Sequence, residues 1–310
     1  MANTVIQTTF KEIEKMKEYY QPYLSEKNPP GSIFFARKNG CVITAYKSGK
    51  VMFQGAGNEE EAKQWGNPGL NQAKNPAASK VSGMPLPDNI SELSIIGSDE
   101  VGKGDYFGPL IVVAAYVKAD QIPLMKELGV KDSKHLADSQ IIKLAKDLAT
   151  FLPYSLLKLD NQKYNKLQAS GMTQGKMTAI LHNQAHNHLL EKISPEKPDA
   201  ILVDQFAQAP VYYKHLKGQK IIQREKVYFS TKAEGIHLAV AAASILARYA
   251  FIRAFEDLSK KAGFIIPKGA GAKVDQAAAR LIKEKGVSAL NEFTKLHFAN
   301  TGKAKKIAGI

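Results

Sequence analysis

Cysteine and long apolar segments are scarce in this chain of 310 residues. Cys41 is the sole cysteine, which excludes an intrachain disulfide framework and a zinc site built from several thiolates. The longest apolar runs, residues 110–117 and 238–247, are shorter than the roughly 18 residues that a membrane-spanning helix needs. Residues 1–20 carry several charges and no apolar core, so they do not resemble a secretory signal. We therefore expect a cytoplasmic protein without a membrane partner.

Acidic residues are outnumbered, because 29 Asp and Glu stand against 43 Lys and Arg and give a formal charge of +14. An excess of positive charge predicts a polyanionic partner. Charge alone does not choose among nucleic acid, an acidic membrane and neither. A hydrophobic share of 44% is sufficient for a packed core in one large domain or two smaller ones.

Residues 93–117 hold the first candidate site. An apolar run ends at Asp99 and Glu100, a glycine-rich turn spans residues 102–109, and a second apolar run follows. This pattern predicts two buried strands joined by a polar turn. Neighbouring side chains on a strand point to opposite faces, so at least one of the two acids lies against the core. A buried carboxylate without a partner is costly, which favours a bound cation there; a solvated turn after a strand is the alternative.

The first 66 residues predict a small α+β domain. Apolar residues at helical spacing between Phe10 and Tyr20 are followed by three β-prone runs with hairpin turns at 39–40 and 47–50. The hairpins carry basic and aromatic residues and no acid from residue 32 to 51. Such a sheet face suits nucleic-acid binding, and exposed lysines around an aromatic core are the alternative.

Residues 67–90, rich in Asn, Pro, Gly, Ala and Ser, predict a linker to a second domain at residues 91–310. The periodicity of that domain predicts helices over residues 139–149, 173–193, 235–259, 273–285 and 288–296. Besides the two strands near Asp99, it predicts strands over residues 153–160, 200–204, 220–223 and 227–229. Such alternation indicates an α/β fold, with a mixed sheet flanked by helices.

Two further acids extend the candidate site. Asp204 ends a second apolar strand, and ligands of α/β sheets gather outside strand ends. Glu234 precedes an alanine-rich helix, where stabilisation of the helix N-terminus also explains an acid. Converging carboxylates repel one another unless divalent cations neutralise them, and oxygen ligands without a Cys or His cluster indicate Mg²⁺ or Mn²⁺. Together with the basic charge, this favours a metal-dependent nuclease.

Gly102 and Gly104 flank Lys103 beside these acids. Glycines let the backbone approach a ligand, and peptide groups can then recognise a ribose 2′-hydroxyl. A tight turn that needs a positive φ angle explains the glycines equally well. The spacing matches neither a P-loop nor the dinucleotide-binding fingerprint.

Four motifs together resemble the type 2 ribonuclease H family, in particular its bacterial ribonuclease HIII branch. They are DEVGKGDYFGP at 99–109, KDSK at 131–134, VDQF at 203–206 and LAVAAASILAR at 238–248. The N-terminal residues are similar to that family's substrate-binding domain, which resembles half of the TATA-binding protein fold. The resemblance implies a ribonuclease H-like fold. It also implies Mg²⁺- or Mn²⁺-dependent endonucleolytic cleavage of the RNA strand of RNA/DNA hybrids, leaving 3′-hydroxyl and 5′-phosphate ends.

The resemblance also assigns roles to individual residues. The catalytic, metal-binding carboxylates fall on Asp99, Glu100, Asp204 and Glu234. The turn that contacts the ribonucleotide backbone falls on Gly102, Lys103 and Gly104. Phosphate contacts or support of the site fall on Ser133, Lys134 and Arg248, with solvation of Lys134 and a helix-face ion pair at Arg248 as alternatives. We expect the enzyme to be a monomer.

Related ribonuclease HII enzymes usually have Arg where Lys103 stands and Asp where Glu234 stands, and they lack the N-terminal domain. These departures favour ribonuclease HIII over an HII-like enzyme that acts at single ribonucleotides in DNA. The residues are also compatible with a nonenzymatic nucleic-acid-binding protein or an integrase-like DNA transferase. His182, His186 and His188 on one helix resemble a metal-ligand spacing, but we expect them to lie on a solvated helix face.

Overall fold

The structure is a computed structural model, and it describes residues 3–25, 28–29, 31–46, 48–65, 84–130 and 136–310. The chain divides into two compact units, Met1–Lys80 and Val81–Ile310. Most of the predicted linker, residues 67–90, lies outside the described residues. The domain boundaries at residues 66 and 91 therefore stay predictions.

The first unit is an antiparallel sheet with two helices, which confirms the predicted α+β class. Its strands follow the order β1-β4-β3-β2. They are β1 Asn3–Gln7, β2 Ser32–Lys38, β3 Cys41–Tyr46 and β4 Lys50–Gly55. The helices are α1 Phe10–Tyr19 and α2 Asn58–Lys63. The short strand β1 was not predicted.

The aromatic residues of the hairpins are divided between the two faces of this sheet, because side chains alternate along a strand. Phe34 and Phe53 are buried in the core together with Ile13 of α1. Phe35 is half-buried on the other face, where the guanidinium of Arg37 lies 5.5 Å from the centre of its ring. One face therefore forms the core, and the opposite face carries a basic residue over an aromatic ring.

The second unit contains a five-stranded sheet in the order β7-β6-β5-β8-β9, which confirms the predicted α/β fold with a mixed sheet. The strands are β5 Ile95–Val101, β6 Leu110–Val117, β7 Tyr154–Leu159, β8 Ala200–Asp204 and β9 Val227–Ser230. The pairs β5–β6 and β6–β7 are antiparallel, whereas β5–β8 and β8–β9 are parallel. Asp99, Glu100 and Asp204 thus lie on two strands that run side by side in the same direction.

Helices cover both faces of this sheet. They are α3 Ile122–Glu127, α4 Asp138–Phe151, α5 Asn161–Ala169, α6 Gln174–Ile193, α7 Ala209–His215, α8 Leu238–Ala262, α9 Ala272–Lys285, α10 Leu290–Phe293 and α11 Asn300–Ala308. Core residues of α4 and α8 pack with Ile95 on one face, and those of α6 and α7 pack with Ile96 on the other. Alternate residues of β5 therefore face α8 and α6.

Two predicted elements are wrong. Residues 220–223 are not a strand, since Asn183 of α6 donates to the carbonyl of Ile221 and accepts from the N–H of Gln223. The helix predicted over residues 288–296 is a 3-10 turn followed by the four-residue α10, after which Thr294 forms a β-bridge to Phe107. In both places a distant partner takes the backbone hydrogen bonds that a regular element would have used.

Helix α8 lies directly against β5. A side chain at Gly97 would place its Cβ 2.2 Å from the backbone nitrogen of Val240, so only glycine allows this approach. By length and composition α8 could cross a membrane, but 67% of its most apolar segment is buried inside the protein, as in a core helix. The contact fixes the first turn of α8 against the middle of β5, two residues before Asp99.

Candidate active site

The parallel pairing of β5 and β8 brings two predicted acids to one edge of the sheet. The last paired residues are Ser98 and Val203, so Asp99 and Asp204 are the next residues on adjacent strands. The backbone N–H of Ala233 donates to Asp204 Oδ1 at 3.0 Å. This bond holds the 3-10 turn that contains the buried Glu234 next to the end of β8.

The charges at this edge act on one another. Burial, the largest cause, and the neighbouring charges of Glu100 and Asp204 together raise the pKa of Asp99 to about 8, while a hydrogen bond from Ser244 opposes them. Such a carboxyl group is protonated near neutral pH unless a cation offsets the repulsion. The oxygen donors and their repulsion fit a hard divalent cation. Within the described residues, no three His, Cys, Asp or Glu side chains are already arranged as a ligand set.

Glu100 lies on the opposite face of β5 from Asp99, as strand alternation predicts. Burial acts to raise the pKa of Glu100, but the hydrogen bond from His182 and the charge of Lys103 lower it below its usual value. His182 Nε2 lies 3.1 Å from Glu100 Oε2, and Lys103 Nζ lies 3.2 Å from Oε1. Glu100 is therefore held as a carboxylate at neutral pH.

The prediction of a solvated face was wrong for His182 and His186, whose side chains are fully buried, and only His188 is exposed. The sequence contained a signal for this burial. Both histidines lie on the same side of α6 as the buried Ala185 and Leu189, at spacings of three, four or seven residues.

Gly102 and Gly104 are glycines for different structural reasons. Gly102 has φ +92°, and a Cβ there would lie 2.2 Å from the carbonyl oxygen of Pro109, so the fold requires glycine. Gly104 has no positive φ, and a Cβ there would meet nothing within 4 Å. The turn explanation therefore accounts for Gly102, and the open space above Gly104 is available to a ligand.

Distant residues hold this turn, and their role was not predicted. Gln174 at the start of α6 donates to the carbonyl of Lys103 at 3.1 Å. The fully buried Lys295 donates from Nζ to the carbonyls of Asp105 and Gly108, at 2.8 and 2.6 Å. No local pattern indicates such contacts, because each partner is more than 70 residues away.

The remaining predicted residues lie apart from these contacts or cannot be placed. Ser133 and Lys134 lie outside the described residues. Arg248 of α8 forms an ion pair with Asp138 of α4 at 2.8 Å, as the helix-face alternative predicted. A phosphate contact by Arg248 stays a prediction. Phe206, which follows β8, lies 4.7 Å beneath the ammonium group of Lys103 and was not predicted to take part in the site.

Comparison with known proteins identifies the family. Residues 96–301 match the family model described as Ribonuclease HII, and residues 3–78 match a domain of unknown function, DUF3378. The chain is 56% identical over 306 residues to ribonuclease HIII of Bacillus pumilus and 55% identical over 312 residues to that of Bacillus subtilis. These matches cover 99% of this chain, and 99% and 98% of the two relatives.

A solved structure agrees in fold. Bst-RNase HIII in complex with Mn²⁺ matches with a TM-score of 0.69 and 43% identity, and the match covers 99% of both chains. The two sequence matches and this structure agree over the full length of the chain. The chain thus belongs to the ribonuclease HIII family of type 2 ribonucleases H, metal-dependent endoribonucleases that cleave the RNA strand of RNA/DNA hybrids.

Proposed function

We propose that Asp99, Glu100, Asp204 and Glu234 are the metal-binding carboxylates of this enzyme. The observation that carries the proposal is the pair Asp99 and Asp204, which lie side by side on adjacent parallel strands. Burial, together with the charges of Glu100 and Asp204, raises the pKa of Asp99 to about 8 there. The crystal structure of the homologous Bst-RNase HIII is of its complex with Mn²⁺, which supports Mn²⁺, or the chemically similar Mg²⁺, as the ion here.

The protein's own groups prepare the substrate for hydrolysis. Glu100 is kept ionised by His182 and Lys103, and Gly102 shapes a turn that leaves space above Gly104 for a ribonucleotide backbone. A bound divalent ion supplies activation of the attacking water and stabilisation of charge on the phosphate and the departing 3′-oxygen. The products are a 3′-hydroxyl and a 5′-phosphate.

The N-terminal unit binds the substrate in this proposal. Its sheet carries Arg37 over the ring of Phe35 on the face opposite the core, a combination that suits a phosphate backbone and bases. Lys103 and Glu234, at positions where ribonuclease HII enzymes differ, favour continuous hybrids over single ribonucleotides in DNA. We further propose that the enzyme works as a monomer in the cytoplasm.

The test compares Asp99→Asn and Asp204→Asn with the parent protein on a labelled RNA/DNA hybrid, with Mg²⁺ or Mn²⁺ and with chelator. Each substitution keeps the size of the side chain and removes its charge, so cleavage falls by at least about a hundredfold while hybrid binding persists. His188→Ala, on the exposed face of α6, is the control and keeps normal activity. Near-normal cleavage by either Asn variant refutes the assignment.

A further inference from the structure

Three fully buried polar groups and the partly buried Glu100 form a continuous line behind the proposed metal site. Glu100 Oε2 lies 3.1 Å from His182 Nε2, and His182 Nδ1 lies 2.9 Å from Ser98 Oγ. Ser98 Oγ in turn lies 2.9 Å from His186 Nε2. The line therefore joins β5 to α6 by three hydrogen bonds in series.

The line is enclosed by the protein. Ser98, His182 and His186 have no exposed surface, and the ring of His182 stacks on Phe206 with 5.1 Å between ring centres. Burial, the largest cause, lowers the pKa of His186 to about 3, so this ring is neutral. Among the described residues, His186 Nδ1 has no hydrogen-bond partner.

The partners determine where each proton lies. A buried N–H without an acceptor is rarer in proteins than a bare acceptor, so the single proton of His186 lies on Nε2 and is donated to Ser98. The hydroxyl of Ser98 then donates to His182 Nδ1. Only Nε2 of His182 is left to carry a proton, and it donates to the carboxylate of Glu100. Every donor in the series points toward the proposed metal ligand.

We infer that His182, oriented by Ser98 and His186, is a positioning residue that fixes the carboxylate of Glu100 for metal binding. This inference rests on the proposed function, in which Glu100 is a ligand. The buried His182 anchors Oε2, whereas Lys103, whose side chain is 31% exposed, contacts Oε1. A metal ion held by Glu100 at Oε1 would take the place of the ammonium group of Lys103. Partners that orient a ligand in this way commonly affect metal affinity by 10- to 100-fold.

The polar character of the line is the argument against simple packing. Three apolar side chains would fill the space between β5 and α6 without the cost of burying an unpartnered ring nitrogen. His188 of the same helix, which has no place in the line, is exposed to solvent.

The test measures Mn²⁺ binding by calorimetry on the full-length protein, with the metal alone as the probe. We expect at least tenfold weaker binding in His182→Ala, three- to tenfold weaker binding in Ser98→Ala and His186→Phe, and no change in the control His188→Ala. In a Glu100→Gln background, Ser98→Ala causes no further loss, because its effect passes through Glu100. Equal losses in both backgrounds, or no loss in the Ser98→Ala protein, overturn the inference.

Ring ¹⁵N shifts of His182 provide a readout that a packing role would not move. The parent protein shows a single neutral tautomer protonated at Nε2, with Nδ1 accepting from Ser98. In Ser98→Ala the proton stays on Nε2, because Glu100 still accepts it, and the resonance of Nδ1 moves to the position of a ring nitrogen without a hydrogen bond. A mixture in the parent overturns the inference even if every variant is less stable. The two proposals fail separately. Normal Mn²⁺ binding by Glu100→Gln rejects the ligand set itself, whereas weakened binding there with normal binding by Ser98→Ala and His186→Phe rejects only the positioning role.

Discussion

At the scale of single residues, the fold requires glycine at position 102, whereas at position 104 we expect only substrate binding to require it. Gly102→Ala puts a Cβ 2.2 Å from the Pro109 carbonyl at a positive φ, so we expect the free energy of unfolding to fall by about 1–3 kcal/mol. Gly104→Ala meets no atom within 4 Å, and we expect unchanged stability with a raised KM for the hybrid. Thermal unfolding and steady-state kinetics measure both. An unchanged KM in Gly104→Ala contradicts the proposed approach of the ribonucleotide backbone.

At the scale of elements, Lys295 joins the segment after α10 to the glycine-rich turn. Burial lowers the pKa of Lys295 to about 7, although the charge of Asp105 opposes the shift. Between about pH 7 and 10 the unfolded chain holds the proton that the folded protein has released, so this group makes unfolding less favourable as pH rises. Its neutral amine still has two N–H donors for the carbonyls of Asp105 and Gly108.

Unfolding by urea at several pH values tests this behaviour. Relative to Lys295→Met, the parent protein gains up to about 1.4 kcal/mol of unfolding free energy per pH unit between pH 7 and 10, and gains nothing below that window. The exposed Lys273, changed to Met, is the control and shows no such trend. Parallel stability curves for the parent protein and Lys295→Met contradict a depressed pKa.

Elements with a strong local pattern could be predicted from the sequence, and those defined by distant partners could not. The apolar runs of β5 and β8 end at their acids in the structure as predicted. Residues 220–223 have an equally apolar centre, yet Asn183 takes their backbone hydrogen bonds. Helix α5 was missed because its composition is polar; the cap at Asp160 is its clearest local signal.

The candidate site shows the same division. A carboxylate that follows an apolar run is visible in the local sequence, so Asp99 and Asp204 could be predicted from the sequence. His182 was assigned to solvent because the partners that bury it, Ser98 and Glu100, lie 84 and 82 residues away. Lys295 was not considered, since its two contacts to the turn span 190 and 187 residues.

At the scale of the whole molecule, a formal charge of +14 is carried by two units with separate cores. The second unit contains all four proposed ligands. Deleting residues 1–66 therefore raises the KM for the hybrid at least several-fold and leaves kcat within about twofold, because the basic face of the hairpins is lost and the carboxylates remain. The salt dependence of hybrid binding becomes shallower in the shortened protein.

A single substitution in the full-length chain distinguishes the effect of one surface contact from the effect of losing the whole N-terminal unit. Arg37→Ala removes the cation over Phe35, and we expect a smaller rise of KM in the same direction. The same KM and salt dependence in the shortened and full-length proteins would show that the N-terminal unit does not bind substrate.

Anomalous diffraction from crystals grown with Mn²⁺ tests the central claim most directly. We predict a manganese peak within about 2.5 Å of carboxylate oxygens of both Asp99 and Asp204, with Glu100 and Glu234 around it. Manganese bound elsewhere, with no peak in reach of Asp99 and Asp204 even when a hybrid is present, would contradict the account.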